Sequence, residues 1–568
     1  MIYLPTDTGT YVPSDYEMSA VRQHVKDVSI KVELLKYDKT KSDPWIVIDS
    51  LEGNLINDNF SMDCDSIQRR SYNCTLCVSD HARKINKSSI LSEYLVGYDK
   101  KIWVDKYIRV YYGIYSMRLK EIIWWRIGTF TYTTASYTFS ATECNLSLSC
   151  SDIMCNYDGT KNGLIHQTKY DNAVTGESVV GFSIPAVNYK KDSSGVEIKD
   201  SNGERIIESH NTIRDSIIAT LGMAGITDYY VEDYPANQDL IPYDLDFSGE
   251  VFYSTVWTSL RDLYPSWEFF FDINGKFIWR KIPTGYNQRT IIDDSMIDGI
   301  YITENTSNAF TGIYNCTEVW GKTFTLTNQD RYASSSTYSN NTYTINLPLV
   351  AKANSTLANS DPLKYLVRGD KIAFKVSSTN TSSNPYLKIV GNVDGQTVTL
   401  TNLRIVDSGG NVIPANTLIA GKICVFTFCE NIGEVLTNCV YLNGQTQAYG
   451  YYEEVNIDCP FSVPNLGYKI IKRITKETLF SDDLCYNQAE YETYQTCAMR
   501  DDINLTMVIV PWLEVNQKVE YTSKLTGNTN QYIIKSISWS TLDGTMTMNM
   551  YKFREDFEYV YNNRSING

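Results

Sequence analysis

The chain has 568 residues, a length that allows roughly three or four domains with hydrophobic cores and makes disulfides unnecessary for folding. Lys and Arg total 51 against 66 Asp and Glu, and the formal net charge of -15 argues against binding nucleic acid through phosphate contacts. The first residues lack the pattern of a secretory signal, and no run of about 18 apolar residues could span a bilayer. The 13 cysteines are therefore expected as free thiols of a protein made in a reducing cytoplasm.

Tyrosine is unusually abundant, with 43 tyrosines against 19 phenylalanines. Its ring is apolar and its hydroxyl is polar, so tyrosine suits surfaces that make apolar contacts and also remain partly exposed to water. We therefore expect extensive interfaces with other protein chains.

The first quarter of the chain has the pattern of antiparallel strands. Residues 1–20 are polar and are predicted to form a mobile leader. Beyond them, apolar and polar residues alternate with period two in several short runs, which predicts a first β-barrel over residues 21–150. The last three strands of this barrel are predicted near residues 129–133, 136–140 and 144–151.

Three cysteines near the end of this region raise the question of a metal or redox site. Cys144 and Cys150 lie on the same predicted strand as Leu146 and Leu148, and even spacing places all four on one buried face. A straight strand separates the two cysteines by roughly 20 Å, which is too far for a shared zinc ion or a disulfide. We therefore predict buried thiols without metal, and Cys155 follows in a short helix.

Residues 151–305 combine helical and strand patterns, which is typical of an α+β module. A short helix is predicted near Ser151, a longer one ends at Gly225, and a third ends at Pro265. The following run predicts a hairpin that turns at Asn274-Gly275.

The remaining chain is again mainly β. Strand patterns over residues 306–328 and 453–560 predict a second β-barrel, with one helical stretch near residues 484–498. Between them, residues 329–452 begin with a polar linker and continue as short strands with Asn, Gly and Ser turns, which predicts an inserted β-sandwich. The predicted fold class is mainly β, with two barrel-like domains, an α+β module and this insert.

Nothing in the sequence favours an enzyme. There is no Walker loop, no dinucleotide-binding glycine motif, no zinc-protease motif and no nucleophile elbow. The four histidines are scattered over different segments: His24, His81, His166 and His210. We predict no catalytic residue, no cofactor and no metal site.

Several segments, taken in order, resemble one family, the tail hub or baseplate hub proteins of tailed bacteriophages and related contractile injection systems. They are "LEGNLINDNFSMDCDSIQRRSYNCTLCV", "WWRIGTFTYTTASYTFS", "LSLSCSDIMCNYDGTKNG", "IPYDLDF", "SLRDLYPSWEFFFDINGKF", "CTEVWGK" and "DDINLTMVIVPWLEVNQKVEYT". The resemblance covers most of residues 20–325 and 455–555. Residues of about 330–452 depart from it and are similar to β-sandwiches appended to phage tail fibres and tips.

The resemblance implies a structural virion protein of the tail tip or baseplate, assembled in the cytoplasm of a bacterial host. Such a hub is expected to be a homotrimer that joins a six-fold tail tube to a three-fold tip and opens for genome ejection. Its implied partners are the distal tail or tube protein, the tape measure protein, and the tip, spike or receptor-binding proteins of host attachment. DNA would pass through the lumen without specific binding. Because the chain stops soon after the second barrel, any peptidoglycan hydrolase is expected on a separate chain.

The alternative from another functional class is a carbohydrate-binding tail adhesin that acts through the 329–452 insert. Tyr386 and Tyr441 are the aromatic residues that could stack on sugars there, although aromatic residues of a β-sandwich more often belong to the core.

Overall fold

The computed structural model describes most of the chain between residues 13 and 552 and, between residues 332 and 439, only short strands. The described residues are 13–41, 44–52, 55–78, 94–140, 144–171, 178–198, 206–234, 239–241, 244–263, 267–282, 289–292, 301–309, 311–331, 335–339, 342–348, 371–373, 386–388, 397–400, 403–406, 425–429, 440–479, 482–497 and 500–552.

The strands lie at β1 (Val28–Tyr37), β2 (Trp45–Glu52), β3 (Leu55–Asp63), β4 (Arg70–Cys77), β5 (Lys106–Ser116), β6 (Glu121–Phe139), β7 (Cys144–Asp152), β8 (Thr168–Asp171), β9 (Ser178–Ile184), β10 (Val187–Tyr189), β11 (Ile207–His210), β12 (Tyr229–Val231), β13 (Leu245–Ser248), β14 (Trp267–Phe271), β15 (Phe277–Lys281), β16 (Arg289–Ile292), β17 (Tyr301–Ala309), β18 (Cys316–Arg331), β19 (Ser335–Ser339), β20 (Thr342–Pro348), β21 (Lys371–Ala373), β22 (Tyr386–Lys388), β23 (Thr397–Leu400), β24 (Leu403–Val406), β25 (Val425–Cys429), β26 (Val440–Glu453), β27 (Ile471–Thr475), β28 (Arg500–Val508), β29 (Lys518–Thr522), β30 (Thr529–Ser540) and β31 (Thr545–Lys552). The α-helices of the described residues are α1 (Asp15–Val21), α2 (Ile213–Met223), α3 (Tyr253–Asp262), α4 (Val463–Leu466) and α5 (Asp482–Thr496), and a 3-10 turn spans Ile153–Asn156. The mainly β character of the predicted fold class is confirmed.

One sheet of 13 strands joins the two ends of the chain. Strands β1 to β7 form one half of it, and β16, β17 and β28 to β31 form the other. The halves meet where β3 pairs with β30, with Phe60 opposite Trp539. Most strands predicted for two separate barrels therefore share one hydrogen-bonded sheet, whereas β18 and β27 lie in another, and apolar residues from both halves share one core. The domain boundaries that the sequence suggests stay predictions.

Strand β6 corrects one detail of the sequence interpretation. The two strands predicted at residues 129–133 and 136–140 are one 19-residue strand in the structure. Its register against β7 shifts between Tyr132 and Thr134, so Thr133 and Thr134 are both exposed while Tyr132 is buried. A bulge moves the side chains that follow it to the opposite face of the sheet. In the sequence, the alternation of apolar and polar residues therefore changes phase at this point, as it also does at a turn between two strands.

Part of the predicted leader is folded. Ser14 caps α1 and forms a reciprocal capping box with Glu17. The Glu17 side chain is buried, and its Oε1 accepts a hydrogen bond from Trp125 Nε1 at 2.9 Å. Residues from Asp15 onward are thus attached to the core of the large sheet.

The α+β module follows its sequence pattern closely. Helix α2 begins after its Thr212 cap, and Gly225 adopts a positive φ of 74° just beyond its end. Helix α3 precedes the hairpin of β14 and β15, and Gly275 in the turn has φ 84°, a conformation that favours glycine. These helices and strands form a second core, which includes Trp257.

A smaller unit carries the insert. Strands β18 and β26 pair from Cys316 opposite Glu453 to Arg331 opposite Val440, and β27 adds in parallel to β18. Helix α5 packs on this ribbon so closely that a Cβ at Gly450 would lie 2.1 Å from the backbone N of Tyr486. The helix predicted near residues 484–498 is thus confirmed. In the described residues, no helix is long and apolar enough to cross a membrane.

Candidate functional site: a buried ionic junction

Charged side chains from three segments that lie far apart in the sequence meet in one buried cluster. Arg69, immediately before β4, pairs its Nη2 with Oε2 of Glu268 on β14. The other carboxylate oxygen of Glu268 accepts a hydrogen bond of 2.8 Å from Arg280 Nε on β15. Asn516, from the segment before β29, donates its Nδ2 to Glu268 Oε2 at 2.7 Å. Glu268 therefore links the first half of the sheet, the module and the second half.

Arg70 makes a second link of the same kind. Its side chain is 1% exposed, its Nη2 pairs with Oε2 of Glu514, and its Nη1 donates to the carbonyl of Phe271 at 2.6 Å. Glu514 is itself buried, in the loop between β28 and β29. Two adjacent arginines thus bind two carboxylates in different parts of the chain. We call Arg69, Arg70, Glu268, Arg280 and Glu514 the ionic junction.

An aromatic ring lies between the guanidinium groups. Arg69 Cζ lies 3.7 Å from the centroid of the Phe270 ring, Arg280 Cζ lies 5.2 Å away, and Arg70 Cζ lies 5.8 Å away. A guanidinium stacks well on a ring face because it is planar and weakly hydrated. All three guanidinium groups therefore lie close to one aromatic ring, and each also pairs with a carboxylate.

The electrostatics of Glu268 follow from these contacts. Burial would raise its pKa, but Arg69 and Arg280 outweigh burial and lower the pKa to about 2. The carboxylate thus stays ionised over the physiological range. Because the folded-state pKa lies below the ordinary value of 4.5, the stability contributed by this group is present above pH 4.5 and is lost as the pH falls towards 2.

Asp152 behaves in the opposite way beside the junction. It caps the 3-10 turn by accepting a 2.9 Å hydrogen bond from the Met154 backbone, and it accepts a 3.2 Å bond from the Arg70 backbone. Burial raises its pKa to about 6, since these hydrogen bonds only partly offset desolvation. Burial also raises the pKa of Asp272, which holds the hairpin turn by accepting bonds from the backbones of Asn274 and Lys276, each at 2.8 Å.

The hairpin turn itself docks on the first half of the sheet. Arg126 on β6 donates to the side chain of Asn274, and Thr129 donates to the carbonyl of Ile273 at 2.8 Å. A Cβ at Gly275 would lie 2.5 Å from the ring of Trp45, so this contact requires glycine. The module is therefore fixed to the sheet by the junction and by the turn of its hairpin.

A cleft of about 840 Å³ opens beside the junction and is lined by Glu268 and Asn516 among others. Its basic residues are largely occupied: Lys472 pairs with Glu492 at 2.8 Å, and Lys535 pairs with Asp65 at 3.0 Å. The lining is thus a set of local ion pairs, and we assign no ligand to it.

The cysteines of β7 lie where the sequence places them. Cys144 is 7% exposed and Cys150 is 3% exposed, and both belong to the core of the large sheet with Leu146 and Leu148. Burial raises the pKa of both thiols. The prediction of buried thiols is confirmed.

One group of potential metal ligands occurs among the described residues, at Asp63, Cys64 and Asp65 in the turn between β3 and β4. Burial raises the pKa of the Cys64 thiol to about 12, which disfavours the thiolate that a metal would need. Lys535 already supplies a positive charge to Asp65. We therefore assign no metal to this turn.

The two tyrosines proposed for sugar contact lie in strands whose side chains fall outside the described residues. In backbone register, Tyr386 pairs with Ala373 and Tyr441 pairs with Asp330. Their role stays a prediction.

Pattern analysis missed the ionic junction. The charged residues come from three segments that lie far apart in the sequence, and Glu268 sits within the apolar run "WEFFF", for which the sequence predicts a strand but identifies no partner. The available signal was a charge within an otherwise buried run, because such a charge requires a counter-charge elsewhere.

Comparison with known proteins gives one family and a set of solved structures. A family model described as a domain of unknown function, DUF5048, matches residues 458–557, and no curated protein matches. The 43 kDa tail protein of prophage MuSo2 from Shewanella oneidensis is 9% identical with a TM-score of 0.41, and the alignment covers 93% of this chain and 99% of that one.

Two further structures are similar to this chain over most of its length. A tail protein from Neisseria meningitidis MC58 is 8% identical with a TM-score of 0.41, covering 92% of this chain and 96% of that chain. The Francisella PdpA-VgrG complex is 9% identical with a TM-score of 0.40, covering 93% of this chain and 58% of the other.

Proposed function

We propose that the protein is a structural hub of a bacteriophage tail tip or baseplate. In this role three copies join the six-fold tail tube to the three-fold tip and open for DNA ejection. One observation carries the proposal: strands from the first and the last part of the chain form one sheet, and the ionic junction fixes the module to that sheet. A hub must transmit force between neighbouring proteins without coming apart, and this arrangement suits that demand.

The seam between the two halves of the sheet supports this role. The rings of Phe60 and Trp539 lie 4.1 Å apart across the β3–β30 pair. Asp58 accepts two hydrogen bonds from Thr541, from its backbone N at 2.7 Å and its hydroxyl at 2.6 Å, and a third from the Tyr72 hydroxyl at 3.2 Å. Buried polar groups satisfied in this way strengthen a contact and fix its register.

The symmetry argument rests on the two halves of the sheet. If they are related folds, three copies around an axis present six similar units to a six-fold tube. Closed rings need an interface in which one surface meets a different surface of the next copy. The net charge of -15 would supply a negative channel wall, to which passing DNA does not adhere.

The β18–β26 ribbon favours a second role for the insert. The ribbon pairs as far as Arg331 and Val440, so residues 332–439 leave and re-enter the fold at adjacent positions. An insert attached in this way could bind a carbohydrate of the host surface without disturbing the hub. In the adhesin alternative this binding is the main function, with Tyr386 and Tyr441 as candidate contacts.

Imaging and mass measurement of intact tails test the hub. A fluorescent protein placed between Arg331 and Val440 marks the chain, and an untagged particle serves as the control. We expect the label at the tail tip, in a copy number that is a multiple of three. A monomer or a two-fold dimer within an intact tail would reject the hub. Glycan binding by the wild-type chain that is lost with residues 332–439 would then favour the adhesin.

A further inference from the structure

Two cysteines lie side by side at the base of the ribbon that carries the insert. Cys459 lies in the turn region after β26, and Cys497 directly follows α5. Their Sγ atoms are 3.6 Å apart, and Cys459 Sγ lies 3.5 Å from the carbonyl oxygen of Cys497. A disulfide bond is about 2.05 Å long, so the two sulfurs would have to approach by only about 1.5 Å to form one. We propose that Cys459 and Cys497 are a disulfide site, reduced during assembly and oxidised once the protein meets an oxidising medium.

The backbone around Cys459 is already fixed in the reduced state. Its carbonyl accepts hydrogen bonds from the Ser462 backbone at 3.1 Å and from Asn465 Nδ2 at 2.7 Å. Buried Asn315 holds the rest of the loop, because its side chain donates to the carbonyl of Phe461 at 3.2 Å and accepts from the Ile470 backbone at 2.7 Å. Closing the bond therefore requires little further loss of chain freedom.

The second thiol is fixed as well. The backbone N of Cys497 donates to the Thr493 carbonyl at 2.7 Å and so continues the last turn of α5. Cys497 is 1% exposed, whereas Cys459 is partly exposed. A small disulfide reagent would thus react with Cys459 first. Cys497 would then displace the reagent from Cys459 and form the protein disulfide.

Other cysteines are poor competitors. Burial raises the pKa of Cys74 and of Cys155 to about 12, and it raises the pKa of Cys150 well above its ordinary value. The thiolate is the reactive form, so these side chains exchange slowly. Within the described residues, Cys459 and Cys497 have sulfurs close to each other, and one of the two side chains is accessible to a reagent.

The chemistry needs an oxidant, and a small-molecule disulfide such as oxidised glutathione supplies it. The Cys459 thiolate attacks one sulfur of the reagent, forms a mixed disulfide and releases one small thiolate. The Cys497 thiolate then attacks Cys459 Sγ and displaces the second small thiolate. The two protein thiol protons end on the two released thiols, so two protein thiols are oxidised and one reagent disulfide is reduced.

The bond would connect two parts of the fold that now meet through non-covalent contacts. Cys459 belongs to the loop that follows the insert-bearing ribbon, and Cys497 lies just before β28 of the large sheet. Oxidation would therefore brace the base of the ribbon against the segment that enters the sheet. The pairing does not depend on the proposed function; only its timing, after release from the host, depends on it.

The test uses the full chain with oxidised glutathione, followed by alkylation of free thiols and peptide mapping by mass spectrometry without reduction. We expect one cross-linked peptide pair that contains Cys459 and Cys497 and has lost two hydrogens. Cys459→Ser should abolish it. Cys64→Ser, a change at another partly exposed cysteine, should leave it intact.

Hydrogen exchange gives a second measurement. Oxidation should slow exchange in residues 456–467 and 493–497 of the wild type and of Cys64→Ser, but not of Cys459→Ser. Free thiols at both positions after oxidation of the folded chain, or cross-links spread over several other cysteines, would overturn the proposal.

Discussion

The core of the large sheet and the ionic junction are both buried, but different forces hold them together. The sheet core consists of apolar side chains such as Phe60, Leu146 and Met548, and any well-shaped apolar neighbour would serve there. The junction consists of charges, and each of them requires one particular partner, as Glu268 requires Arg69 and Arg280. The apolar core therefore stabilises the sheet, whereas the junction fixes where the module sits on it.

The largest expected effect comes from removing the central charge of the junction. Glu268→Gln leaves Arg69 and Arg280 buried without their counter-charge, and we expect a loss of about 3–5 kcal/mol in the free energy of unfolding. Urea denaturation measures it. The matched control is Arg473→Gln, which breaks an exposed pair with Glu318 and should cost less than about 1 kcal/mol. Equal losses of unfolding free energy in the two variants would show that the buried junction contributes no more than an exposed ion pair.

The pH dependence of the free energy of unfolding tests the role of Asp152, which lies beside the junction. Because the folded-state pKa of Asp152 is about 6 and the ordinary value is 3.8, the folded protein binds a proton between these values that the unfolded chain does not. Asp152 therefore makes stability rise as the pH falls from 6 to 4, by an amount on the order of 2 kcal/mol. Asp152→Asn should remove this contribution. An unchanged slope of urea midpoint against pH would contradict the assignment.

The sheet core should respond less to a change of its thiols. Replacing both Cys144 and Cys150 by alanine removes two buried sulfurs, and we expect a loss of about 1–3 kcal/mol through packing alone. Cys64→Ala, at a partly exposed position, should cost less than about 0.5 kcal/mol. Metal analysis of the purified wild type completes the test. Stoichiometric zinc that disappears in the double variant would show that the pair is a metal site.

The smallest effect is expected from the insert. Removing residues 332–439 and joining Arg331 to Val440 through an Asn-Gly turn keeps the paired ends of the ribbon, so we expect a change of less than about 1 kcal/mol. Thermal unfolding of the deletion variant measures it. An insoluble deletion variant would show that the insert contributes to the core.

Sequence reasoning succeeded where one segment carried all the information. The period of "CNLSLSC" was enough to bury Cys144 and Cys150, and capping and glycine signals were enough to place α2 and the Asn274-Gly275 turn. It failed in β6, where a bulge between Tyr132 and Thr134 imitated a turn. A bulge and a turn both shift the phase of an alternating pattern, and only the partner strand distinguishes them.

The sequence by itself determined the mainly β character, the helices of the module and the faces that the strands bury, because these depend on side chains a few residues apart. Tertiary structure alone decided that β3 pairs with β30, that Arg69 and Arg70 reach Glu268 and Glu514, and that Cys459 lies beside Cys497. These contacts join residues whose separation along the chain is large. Local periodicity carries no information about such partners, because any buried charge or strand edge states only that a partner is needed and not which one it is.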